Sequence, residues 1–120
     1  MLSGKKLLYL MEIHRLQQDL PGKIKLMDIG RALNVKKPTV HSMVCDLTSL
    51  GLVQVHEENG LCLTEEGEAL AVRYREYRRK LTGFLMDSMY LTAEEAGLCA
   101  VELLSLLPEE RLQHFFAMSK

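Results

Sequence analysis

Residues 25–63 read KLMDIGRALNVKKPTVHSMVCDLTSLGLVQVHEENGLCL. Leu26, Ile29, Ala32 and Leu33 recur at three- and four-residue spacing, which predicts a short helix over Leu26–Leu33. Asn34 follows the last apolar residue, where a left-handed C-cap is tolerated. Pro38 then opens a second helix, since the N–H it lacks is unpaired in a first turn anyway. Val40, Met43, Val44, Leu47 and Leu50 form the apolar side of that helix, and Gly51 is the natural residue to leave it. Leu52, Val53 and Val55, then Leu61 and Leu63, read as two short strands around the turn Glu57-Glu58-Asn59-Gly60. Helix, tight turn, helix and β-hairpin in that order make a winged helix-turn-helix, a module whose partner is double-stranded DNA.

The flanks predict more helix. Leu7, Leu8, Leu10, Met11, Ile13 and Leu16 give a first helix over about Lys5–Asp19, ended by Pro21-Gly22. Gly30 lies inside the second helix, either for close approach to a neighbour or as a tolerated glycine. Behind the wing, Thr64 can N-cap a helix with Glu65 and Glu66 in its first turn, and Gly83 reads as its end or a bend. Thr92-Ala93-Glu94-Glu95 is a capping box for a fifth helix, and Pro108-Glu109-Glu110 opens a sixth. The fold class expected is mainly α: a winged helix-turn-helix DNA-binding domain over residues 1–72, followed by a helical dimerisation region over residues 73–120. The last two helices carry more apolar side chains than a small domain covers, among them Leu98, Leu104, Leu106 and Phe116. The surplus predicts a two-fold homodimer.

Composition agrees with that class. Nearly half of the 120 residues are apolar, Trp is absent, and Leu and Met dominate, which favours packed helices. No apolar run approaches the roughly 18 residues of a membrane span, so no membrane partner is expected. Cys45, Cys62 and Cys99 are scattered without CxxC spacing, as in the reduced thiols of a cytoplasmic protein. Net charge is −1, but it is uneven: residues 1–50 hold eight Lys/Arg against four Asp/Glu, and residues 51–71 hold five Glu and no Lys or Arg. A duplex needs a basic face, not a basic total.

The candidate DNA contacts follow from that distribution. Lys36, Lys37, Pro38 and Thr39 put two cations and a hydroxyl at the start of the recognition helix, where backbone N–H groups already favour phosphate. Thr39, His41 and Ser42 point outward, towards phosphates or base edges. Arg31 is either a backbone contact or a plain surface Arg. The acidic wing tip is expected to touch DNA only through Asn59 and its backbone. The basic run Arg73, Arg75, Arg78, Arg79, Lys80 spreads around one helix and can pair with the acidic C-terminal helices. No catalytic motif is present and no enzyme is expected. Two other readings stay open: a protein-interaction module that kept the fold without DNA binding, and a redox-responsive regulator using Cys45 on the recognition helix.

The order of elements resembles the iron- and manganese-dependent repressors typified by the diphtheria toxin repressor. The resemblance rests on Leu8-Tyr9-Leu10, Asp28-Ile29-Gly30-Arg31-Ala32-Leu33 with Val35, Pro38-Thr39-Val40, Leu50-Gly51-Leu52-Val53, and Leu63-Thr64-Glu65-Glu66-Gly67 with Ala71. In length it is similar to the short members without an SH3-like domain. The resemblance implies a homodimeric repressor controlled by Mn²⁺ or Fe²⁺. It also implies where the ligands would stand: Leu8 and Met11 on the first helix, Arg78 on the fourth, and Val101, Leu104 and Ser105 on the fifth. Those side chains are not metal ligands of the kind these ions take, so no cofactor and no metal site are expected. A two-residue shift would bring Cys99 and Glu102 into the pattern, still without a His.

Overall fold

A computed structural model describes residues 2–20, 22–58 and 60–118. The elements run α1 (Gly4–Asp19), α2 (Leu26–Leu33), α3 (Lys37–Ser49), β1 (Val53–His56), β2 (Gly60–Leu63), α4 (Glu65–Met89), α5 (Ala93–Leu106) and α6 (Glu109–Met118). The chain divides into two compact units, Leu8–Ala71 and Met1–Leu7 with Val72–Lys120. No helix among the described residues is long and apolar enough to cross a membrane.

The first unit is a winged helix. Leu10, Ile13 and Leu16 from α1, Ile29 from α2, and Val40, Val44 and Leu47 from α3 are buried together with Val53, Leu61 and Leu63 of the wing. The wing pairs antiparallel, Val53 opposite Leu63 and Val55 opposite Leu61. Ile24 adds a short third edge: its carbonyl accepts the Leu61 N–H at 3.0 Å. Gln17 of α1 fixes the inner end of β2 by accepting the Leu63 N–H at 2.6 Å. This unit departs from the sequence expectation at Leu50. It is the C-cap of α3 and half exposed (50%), because the helix ends there and its side chain clears the core.

The junction from wing to α4 explains the Thr-x-x-Gly motif. Thr64 accepts the Gly67 N–H at 3.0 Å and donates to the Gly51 carbonyl at 2.7 Å. Its own N–H donates to the Leu52 carbonyl at 3.0 Å. That same carbonyl presses on Gly67 so closely that a Cβ there would overlap it. Thr64 therefore caps the helix while Gly67 lets the strand pass.

The second unit packs α5 and α6 with the later part of α4. Thr92 caps α5 in a reciprocal box with Glu95, at 2.9 and 3.1 Å. Ala96, Gly97 and Ala100 are buried, and a Cβ on Gly97 would meet the Arg78 guanidinium at 3.4 Å. Arg73 grips Glu109 of α6 through two bonds of 2.7 and 3.1 Å, and Tyr77 donates to the same carboxylate at 2.9 Å. Tyr77 also stacks on Phe116, centroids 5.1 Å apart. Part of the basic run thus serves to hold α6. Gly83 neither ends nor interrupts α4, which continues to Met89. A single glycine costs about 1 kcal/mol in a helix, and neighbouring buried Leu81 and Leu85 keep the helix anchored.

Candidate nucleic-acid interface

The turn between α2 and α3 is built from two local features. Asn34 takes the left-handed conformation (φ 56°, ψ 49°) and its N–H returns to the Gly30 carbonyl. Val35 N–H donates to that carbonyl too, at 2.9 Å. Gly30 has its use here, since a Cβ would stand only 3.0 Å from the Val35 carbonyl oxygen. The tight turn then presents α3 with one side buried and the other bare.

On the bare side, Lys36, Lys37, Pro38, Thr39, His41 and Ser42 are all exposed. They share one end and one face of a single helix. Lys36 is the N-cap in extended conformation, and no side chain caps the helix start. The positive end of the helix is thus left for an outside acceptor, with two ammonium groups beside it. Farther along, His41 lies one turn from Cys45, 3.9 Å from ring Nδ1 to Sγ.

A second basic feature adjoins the first. Lys25, Arg31 and Lys37 line a groove of about 710 Å³ running past Met27, Asn34 and Val35. Arg31 is exposed, its guanidinium resting 3.5 Å from the Met27 sulfur. Lys25 is a residue the sequence reading passed over. The signal was its position: it stands where a helix normally takes Ser, Thr or Asp as N-cap. Asp28 instead satisfies the Lys25 N–H at 2.8 Å, leaving the cation at the groove.

The wing offers little positive charge. Glu57 and Glu58 are exposed at its turn, and Asn59 lies outside the described residues. Cys45 and Cys99 are exposed thiols and Cys62 is half-buried.

The positions at which a metal is implied are a poor fit to one. Met11, Val101 and Leu104 are buried, Leu104 to 1% exposure, and they bring only aliphatic carbon and a thioether. Leu8, Arg78 and Ser105 are half-buried. Glu102, on α5, lies by the first turn of α1, where a Cβ on Gly4 would meet its carboxylate at 3.4 Å. Glu12 is held in an ion pair by Arg15. Among the described residues, no group of three or more His, Cys, Asp or Glu stands close enough to share an ion. Manganese and ferrous ions take oxygen and imidazole donors, and this donor set does not supply them.

Comparison with known proteins adds an independent line. The family model described as iron dependent repressor, N-terminal DNA binding domain, matches residues 1–61. The transcriptional regulator MntR of Salmonella typhimurium (strain LT2) is 38% identical over 65 residues, spanning 54% of this chain and 41% of that protein. The match therefore spans less than half the length of such curated relatives. Among solved structures, the manganese regulator SloR superposes with a TM-score of 0.76 at 31% identity, covering 93% of this chain and 53% of that one. The hypothetical protein SSo2273 from Sulfolobus solfataricus superposes with a TM-score of 0.74 over 97% of this chain and 88% of that one, a likeness of fold alone at 23% identity.

Proposed function

Since this chain belongs to the iron-dependent repressor family, we propose that it is a dimeric, sequence-specific DNA-binding regulator of transcription, acting as a repressor. The observation that carries this reading is the exposed start of α3, where Lys36, Lys37, Thr39, His41 and Ser42 share a bare face beside an uncapped helix end. Phosphates neutralise the cations and fix the register, while Thr39, His41 and Ser42 reach base edges. Lys25, Arg31 and Lys37 carry the neighbouring strand's backbone in their groove. The acidic wing keeps its distance from phosphate and confines specificity to α3.

Residues 1–72 form the reading head in this proposal and residues 73–120 the dimerisation region. Exposed Phe84, Met89, Leu98 and Leu106 of the second unit support a two-fold contact, which would cover large apolar side chains left open to water. Metal control is absent in this reading. The buried aliphatic side chains at Val101 and Leu104 support it, as does the guanidinium of Arg78. No step of DNA binding is assigned to an ion.

The test is anisotropy of a labelled duplex taken from upstream of the protein's own gene, measured across a salt series. Binding that weakens steeply with salt and exceeds that to a scrambled duplex supports the proposal. Absence of any salt-sensitive duplex binding would favour a protein-interaction module.

A further inference from the structure

A second cavity adjoins the basic groove. It has a volume of about 430 Å³ and sits where the wing diverges from α3. Val53 and Leu63 belong to the core at 2% and 8% exposure, but on the same face of the ribbon Val55 has risen to 60%. The core therefore opens outward along the wing. Ile24, Val44, Val55 and Leu61 wall the opening with aliphatic carbon, and His41 and Cys45 close it along α3. Among the described residues, no carboxylate lines it. The Thr48 hydroxyl at its edge is spent on the Val44 carbonyl at 2.8 Å. Lys25, an ammonium at the rim, also lines the adjoining basic groove.

We propose that this cleft is an effector site for a small, uncharged, largely apolar molecule, whose occupancy competes with DNA at the recognition helix. The aliphatic walls disfavour strongly charged ligands, because carbon does not replace the lost hydration. The volume lies within the range of small-molecule pockets, which are typically apolar with few polar groups. Competition follows from the shared residues: His41 and Cys45 both border the cleft and stand on the bare face of α3. A ligand there alters the groove-entering surface directly, with no long-range relay. The competitive part rests on the DNA-binding reading, whereas the cleft itself does not.

The probe is N-phenyl-1-naphthylamine, a neutral fluorophore that brightens in apolar surroundings. The whole chain should bind it saturably at one site per chain. Val55→Trp, which lays an indole across the mouth, should weaken that binding about tenfold, or about 1.4 kcal/mol. Val55→Ala should retain it. Saturating probe should slow alkylation of Cys45 by iodoacetamide and leave that of Cys99 unchanged, read by peptide mass spectrometry. It should also weaken duplex binding about fivefold or more in the wild-type chain, and not in Val55→Trp. Equal probe binding by Val55→Trp with unchanged circular dichroism would overturn the site. So would unprotected Cys45 in the wild-type chain, a result that needs no variant to fold. Probe binding with Cys45 protection but undiminished duplex affinity would overturn the competition. A probe-free chain that ignores duplex DNA sinks the DNA reading while leaving probe binding and Cys45 protection to judge the cleft.

Discussion

Lys37 is exposed in the first turn of α3 and lines the basic groove as well, so in the proposed complex it meets phosphate from both features. Lys37→Ala is expected to weaken binding to every duplex by a similar factor and to flatten the salt dependence by about one unit. Anisotropy titrations at several salt concentrations measure both. A loss confined to one sequence would instead mean that Lys37 reads a base. Two residues outside the interface give expectations about stability. Gly67→Ala forces a methyl into the Leu52 carbonyl and is expected to cost about 3 kcal/mol, at the upper end for overpacking, in a urea melt. Tyr9 is 4% exposed, and among the described residues its hydroxyl has no hydrogen-bond partner. Removing an unsatisfied buried group is neutral or stabilising, so Tyr9→Phe should leave the urea midpoint unchanged or raise it.

The clasp on α6 sets an expectation at the level of elements. The Arg73 guanidinium holds the Glu109 carboxyl below the usual carboxylate range, against the opposing pull of burial, with a smaller share from the Tyr77 hydroxyl. A carboxyl depressed in the folded state stabilises the fold fully above its unfolded pKa, about 4.3. It loses that contribution as pH falls through the folded value. Glu109→Gln should therefore melt below the wild type at neutral pH, and the gap should close in acid. A gap independent of pH would show that shape, not charge, is what Glu109 supplies. The same elements show what the sequence made legible. The left-handed Asn34, the proline start of α3 and the Thr64 and Thr92 caps depend on residues within a turn of each other, so local chemistry reveals them. The Ile24 edge on β2, the Gln17 bond to Leu63 and the Arg73–Glu109 clasp join residues far apart in the chain. Periodicity carries no record of such pairs. Among the candidate site residues, the α3 set is legible because a single helix carries it. Lys25 is not, since its place in the groove depends on how α2 and the turn meet. Leu50 misled because helical spacing places it on the apolar side, although the helix ends before it reaches the core.

For the whole molecule, the proposal joins a reading head to a pairing surface and detaches it from metal control. Leu98 is 63% exposed on α5, and Leu98→Glu is expected to convert the proposed dimer to monomer in sedimentation equilibrium while leaving its circular dichroism intact. Its duplex affinity should fall with the loss of the second half-site. An unchanged molecular weight would move the pairing surface elsewhere. We propose that this family member reads DNA without an ion, since the family resemblance puts Val101, Leu104 and Arg78 where donors would be needed. The most direct measurement is duplex affinity by anisotropy in a strong chelator, then after replacement of the chelator by Mn²⁺ or Fe²⁺. One binding curve is expected throughout. Binding that vanishes with chelator and returns with either ion would contradict the proposal.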